Sequence, residues 1–225
     1  MLITSFSLAR SRKRLCWGFI MTNFILGITG ASGSGKTYLA NLLHNKFYPD
    51  SSIITQDNYY LPQNHLPLKK RKTLNFDHPS MIDWGLAYKQ LSFLKNNSPI
   101  QMPQYSFKTH TRLKRTKIIK PKKLIIFEGI FAFSEIIRPL LSYKVFLDTD
   151  FGLCFNRRLN RDINERGRTK SSVIAQFEGT TKPGFIEFVL PTKRFADLII
   201  RNEDYSQLFE ILENHTSGET PFLSQ

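Results

Sequence analysis

Five short apolar runs along the chain, at residues 24–29, 51–55, 123–127, 143–147 and 197–200, read as buried strands. Between them the apolar positions recur at helical spacing. Leu39, Leu42, Leu43 and Phe47 mark a helix over 38–47. Trp84, Ala87, Tyr88, Leu91 and Leu94 are expected to share one face of a helix that Asp83 caps and Pro99 stops. Residues 131–141 read as a short helix, 151–168 as a longer one ended by Gly167, and 205–213 as a terminal one. Residues 171–189 read as a helix broken near Lys182-Pro183-Gly184. The exception is 100–120, where Thr, Ile and aromatic content predicts a β-hairpin, while 61–79 reads as loop. Strand and helix alternating in this way predict an α/β fold: a parallel five-stranded sheet with helices on both faces, plus a hairpin excursion.

The first strand runs into Gly30-Ala31-Ser32-Gly33-Ser34-Gly35-Lys36-Thr37, and a helix follows. Strand, Gly-rich loop, Lys-Thr and helix together are the context of a P-loop phosphate site. Gly30, Gly33 and Gly35 remove Cβ atoms, so successive N–H groups can turn inward, and the helix N-terminus adds partial positive charge. Lys36 is then placed for the β- and γ-phosphates of a nucleoside triphosphate, and the Thr37 hydroxyl for Mg²⁺.

Two carboxylates follow strands of the same sheet. Asp57 ends the second strand, either as a proton acceptor near the γ-phosphate or as an Asx turn. Glu128 ends the third, where a Mg²⁺ ligand or water-holding group is expected. In the hairpin, Tyr105, Phe107, His110 and Arg112 offer stacking and hydrogen bonding, although lone aromatics on a strand are core by default. The helix over 151–168 carries Arg157, Arg158, Arg161, Asp162, Glu165 and Arg166 opposite its apolar side, as a solvated face or as a lid that neutralises phosphoryl charge.

Composition refines this picture. At 225 residues, 41% hydrophobic and 22% charged, the chain fits one α/β domain. No apolar run reaches the ~20 residues that span a bilayer. Cys16 and Cys154 are too few and too far apart for a disulfide framework or metal site, and a reducing, cytoplasmic compartment is the simpler expectation. The net charge of +14 raises nucleic acid as a partner. Much of that charge falls at 108–123 and 157–168, where an anionic nucleotide would use it. Residues 1–20 are basic and read either as a weak transit-like segment or, more simply, as an extension upstream of a start at Met21; 218–225 reads as a tail.

Several segments, in order over about 24–200, together resemble the uridine kinase (uridine–cytidine kinase) family of P-loop kinases. Beside the P-loop they are Gln56-Asp-Asn-Tyr-Tyr60, Phe76-Asp-His-Pro79, Pro103-Gln-Tyr-Ser-Phe-Lys-Thr-His-Thr-Arg112, Phe127-Glu-Gly-Ile130, Phe146-Leu-Asp-Thr-Asp150, Arg161-Asp-Ile-Asn-Glu-Arg-Gly-Arg168, Lys182-Pro-Gly-Phe185 and Pro191-Thr-Lys-Arg-Phe-Ala-Asp-Leu-Ile-Ile200. The resemblance implies ATP-dependent phosphorylation of a pyrimidine nucleoside 5′-hydroxyl, with Mg²⁺, in a homotetramer. By position it makes Asp57 the general base and Asp77 the ribose-holding carboxylate. Tyr105 and His110 become base readers with Phe107 beside the base, and Thr37 and Glu128 the metal ligands. Arg158, Arg161, Arg166, Arg168 and Gln176 become phosphate or nucleoside contacts in the region of a helical lid over 153–170, with Gln176 just beyond it. Two other readings stand beside it. One is a phosphoribulokinase-like kinase whose acceptor phosphate uses Arg112 and Lys108; the other is a basic nucleic-acid-binding P-loop protein.

Overall fold

The computed structural model describes residues 22–217; the expected 1–20 extension and the 218–225 tail lie outside the described residues. In chain order the elements are β1 (Phe24–Gly30), α1 (Lys36–Lys46), β2 (Ser51–Thr55), α2 (Leu68–Arg71), α3 (Trp84–Lys95), β3 (Ile100–Ser106) and β4 (Thr111–Ile119). There follow β5 (Leu124–Glu128), β6 (Tyr143–Leu147), α4 (Phe151–Asn164), α5 (Lys170–Gln176), α6 (Lys182–Gly184), β7 (Leu198–Ile200) and α7 (Ser206–Ser217).

The expected sheet is present: five parallel strands in the order β2-β5-β1-β6-β7. β1 lies at its centre, and all seven of its residues are buried, as a parallel strand covered on both faces requires. Alternate side chains feed two cores. Ile25, Ile125, Phe127 and Phe146 pack on one face with α3 and the 131–141 segment. Leu26, Ile28, Leu124, Ile126 and Val145 pack on the other, under α1 and α7. β3 and β4 form the expected antiparallel hairpin, with a register shift between Pro103 and Tyr105.

Four expectations need correcting. Residues 131–141 are a chain of turns ending in a 3₁₀ turn at Arg138–Leu140, not a helix. Phe131, Ala132 and Phe133 are all buried; consecutive positions on a helix diverge by about 100°, so these three would not share one helix face. On α3 the buried face is Ala87, Gln90, Leu91 and Leu94, while Tyr88 is turned to solvent. Gln90 faces inward because it accepts a hydrogen bond from the Tyr59 hydroxyl and donates to the Gln101 carbonyl. Residues 170–189 are helical throughout, with no break at Pro183: π-helical turns at Phe177–Thr181 and Phe185–Val189 flank α6 and alter the spacing of the backbone bonds around the proline. The 61–79 stretch contains the one-turn helix α2.

Asp83 ties the hairpin to the body. Its Oδ1 accepts from the Leu86 N–H at the start of α3, and its Oδ2 takes the Arg112 guanidinium at 3.1 Å. The same guanidinium donates to the Tyr59 carbonyl at 2.8 Å. Asp83→Ala removes a cap and strands a half-buried arginine, so urea unfolding should show a loss of about 2 kcal/mol. Asp83→Asn keeps the capping oxygen and should lose roughly half as much.

Candidate active site

The carboxyl ends of the parallel strands open onto one cavity of about 310 Å³. On its floor, the loop after β1 turns with Gly33 at φ +90° and Gly35 at φ +94°. Gly33 is pinned for a second reason: an added Cβ would lie 2.2 Å from the Cys154 carbonyl oxygen on α4. Lys36 is buried and donates from Nζ to the loop carbonyls of Gly30 (3.1 Å) and Ala31 (2.7 Å). Burial lowers its pKa to about 8, against the pull of Glu128 and Asp57. Thr149 donates to the Ser34 carbonyl, and Arg158 donates to the Ser32 hydroxyl at 2.9 Å. Gly30, Ala31 and Ser34 hold this loop from behind; the other loop residues singled out in the sequence line the cavity.

Strand register brings the two carboxylates to this floor. Thr55 of β2, Glu128 of β5 and Ile28 of β1 lie in one row across the sheet. Asp57, two residues past that row in a 3₁₀ turn, therefore sits beside Glu128 and Lys36. Burial raises the pKa of Asp57, opposed by Arg166, Lys36 and Arg161. Glu128 is also buried, and burial together with Asp57 pushes its pKa up to about 7. The Thr37 hydroxyl faces Glu128 Oε1 at 3.4 Å. A hydroxyl and a desolvated carboxylate are hard oxygen donors that fit Mg²⁺ completed by phosphates and water.

The opposite wall is aromatic. Tyr60, Phe76, Tyr105 and Phe107 stand in successive ring contacts of 5.1 to 6.1 Å, and His110 lies 5.6 Å from Phe76. His110 has φ 50° at the hairpin turn. Burial, then Lys72, Arg168, Arg166 and Arg71, lower its pKa, so its imidazole is neutral at pH 7. Asp77 is buried below this wall, and its Oδ2 accepts from Thr180 and Thr181. Gly184 permits this packing, since a Cβ there would lie 2.5 Å from the Asp77 carbonyl oxygen.

Arginines cover the top. Arg158 donates to Gln176 at 3.1 Å and lies 3.7 Å from Asp77. The Arg166 guanidinium stacks on Phe107 at 3.8 Å. Arg168 donates to Gln176 and to the Ser172 carbonyl. Among these groups lies Asp162, whose side chain is 1% exposed. Burial pushes its carboxyl up, and the surrounding guanidiniums, Arg161 first, more than offset this and hold its pKa below the usual range.

Asp57, Asp77, Tyr105, Phe107, His110, Glu128, Gln176 and the four arginines named from the sequence thus meet in one cavity. Tyr60, Phe76 and Arg157 line it as well and were missed. Tyr60 and Phe76 fall inside the quoted segments, next to residues that were chosen, and helical spacing put Arg157 on the charged face without saying what it meets. Arg112, held by Asp83 and Tyr59, is turned away from the cavity.

The model of the phosphoribulokinase / uridine kinase family matches residues 25–208. The uridine kinase of Enterobacter sp. strain 638 is 40% identical over 182 residues, which cover 78% of this chain and 85% of that protein. The uridine kinase of Yersinia enterocolitica is 41% identical over the same shares. Among solved structures, a putative fructose transport system kinase from Silicibacter sp. TM1040 matches with a TM-score of 0.65 at 18% identity, covering 80% of this chain and 90% of that one. Phosphoribulokinase from Rhodobacter spheroides matches with a TM-score of 0.59 at 13% identity, covering 80% of this chain and 70% of that one. At these identities the structural matches speak to the fold.

Glu128 gives the site a pH signature. Its pKa rises from 4.5 to about 7 on folding, so the native state holds a proton that the unfolded state has lost across that window. Stability is therefore lost as pH rises from about 4.5 through 7. Glu128→Gln should be the more stable protein at pH 8, by on the order of 3 kcal/mol without nucleotide or metal, with the difference fading toward pH 4.5. Paired thermal melts at the two pH values measure it.

Proposed function

The chain belongs to the phosphoribulokinase / uridine kinase family, and on that premise we propose that it moves the γ-phosphoryl group of ATP to the 5′-hydroxyl of uridine or cytidine. It is a nucleoside kinase of the P-loop type. The observation that carries the acceptor half of this reading is the aromatic wall with Asp77 beneath it, sharing one cavity with the phosphate loop.

In this reading Asp57 takes the proton of the 5′-hydroxyl as it attacks in line. Burial raises its basicity, and Lys36 and the lid arginines hold it near a charge-balanced state. Asp77 has Oδ2 committed to Thr180 and Thr181, and its Oδ1, 3.7 Å from Arg158 Nη1, is the oxygen that would meet the ribose hydroxyls. Lys36 leaves the loop carbonyls for the phosphates, whose negative charge would offset the burial that lowers its pKa. Arg158, Arg161, Arg166 and Arg168 meet the charge that spreads over the transferring group. Mg²⁺, held by Thr37 and Glu128, supplies further neutralisation there when bound. Tyr105 and the neutral His110 read the pyrimidine edge, where an unpaired buried polar atom would penalise the wrong base. A pyrimidine-salvage role in the cytoplasm, a homotetrameric assembly, and the division into a 1–20 extension, a 21–217 kinase domain and a tail complete the proposal.

The phosphoribulokinase-like reading loses support because Arg112 is engaged by Asp83 and Tyr59, and neither it nor Lys108 lines the cavity. The nucleic-acid reading loses support because the basic 157–168 stretch is gathered around the cavity and Asp162.

An acceptor screen following ADP release tests the function. Turnover is expected with uridine and cytidine and not with purine nucleosides or ribulose 5-phosphate; turnover with ribulose 5-phosphate alone would overturn the acceptor reading. Asp57→Ala should lower kcat by roughly 10²- to 10⁴-fold while ATP affinity by calorimetry changes little. His110→Ala should lose roughly tenfold of the preference for pyrimidine over purine nucleosides, with KM for ATP nearly unchanged.

A further inference from the structure

Four guanidinium groups converge on the carboxylate of Asp162. Arg161 reaches Oδ1 with two donors, Nε at 3.0 Å and Nη2 at 2.8 Å. Arg166 Nη1 lies 3.4 Å from the same oxygen. On the other oxygen, Arg168 Nη1 lies at 3.4 Å and Arg158 Nε at 3.7 Å. The backbone joins in: Gly167, at φ +63°, reverses the chain so that the Arg168 N–H returns to the Asp162 carbonyl at 3.0 Å. All four arginines line the phosphate cavity, and Asp162 is not among its lining residues.

From this geometry we infer that Asp162 is a positioning residue for phosphoryl transfer: it holds the lid arginines in the arrangement that meets the transition state, without touching either substrate. The inference rests on the kinase reading above, and the reason for it is electrostatic. Four like charges in a half-buried space repel one another and would splay into water when no phosphate is present. A single buried carboxylate offsets part of that repulsion: it fixes the Arg161 fork with two hydrogen bonds, accepts a third from Arg168, and draws Arg166 and Arg158 in by charge. The stack of Arg166 on Phe107 extends the same frame to the acceptor hairpin. The arginines therefore need no rearrangement as charge develops on the transferring group, and such preorganisation is where fixed donors act most strongly.

The charge balance separates this role from a structural one. Neutralising Asp162 makes the cavity more positive, so ground-state attraction for ATP is not lost; what is lost is the placement of the donors. Asp162→Asn should lower kcat roughly 30- to 100-fold with KM for ATP unchanged or lower. Asp162→Glu, which restores the charge one methylene away, should recover kcat to roughly three- to tenfold below wild type. A kcat within threefold of wild type for Asp162→Asn, or a KM for ATP that rises as kcat falls, overturns the inference. So does an Asp162→Glu variant no better than Asp162→Asn. If Asp162→Asn cannot be purified folded, Asp162→Glu decides alone: a three- to tenfold lower kcat at constant KM supports the role, and an unchanged kcat or a rising KM overturns it. Wild-type acceptor assays run beside these keep the two readings apart. An enzyme that ignores uridine and cytidine but uses another acceptor sinks the acceptor proposal, and the kcat–KM split is then read on the acceptor it does use.

Discussion

The parallel, in-register pairing of β5 with β1 and β2 is the constraint on which the site depends. It brings Thr55, Glu128 and Ile28 level across the sheet, so the loops that leave these strands start from one line. The phosphate loop, the Asp57 turn and the Glu128 corner are then made neighbours by the strand pairing itself. Burying β1 on both faces makes this line rigid, and a one-residue slip would send its whole apolar set to the wrong core.

Charge is the second constraint, and it follows from the first. The strand ends bury Asp57, Glu128 and Lys36 together, and burial pushes each toward its neutral form. Such a floor costs stability while empty and gains most from a polyphosphate and a cation, so binding energy is stored where it is used. The roof has the opposite problem, an excess of cations. Asp162 answers it from beneath, Gln176 links Arg158 with Arg168, and Phe107 carries Arg166. Part of the chain's positive charge, in the basic stretch after β6, is thus gathered around the cavity.

Much of this was readable in the residues. The β1–loop–α1 unit follows from an apolar run, three glycines and Lys-Thr, because each step is local. The five strands and the hairpin follow from short-range pattern. The errors are local patterns overruled by packing: Tyr88 gave its inward place to Gln90, which has polar partners in Tyr59 and Gln101. The 131–141 segment gave up helix to bury three consecutive side chains. Pro183 did not break its helix, because π-turns on both sides changed the bonding around it.

The sequence by itself determined the phosphate loop, the order of strands and helices, and the residue types at the strand ends, since these depend on neighbours in the chain. Comparison of motifs added the likeness to a kinase family. Only the tertiary structure decided which arginine serves what. Arg112 and Arg166 are equally basic in the sequence, yet one is spent on Asp83 and the other is poised over Phe107 at the cavity. It alone showed that Asp162, one more charge on a charged helix face, is the buried point that the lid arginines share. A charge acquires its role from the partners and the dielectric around it, and both are set by segments distant in the chain.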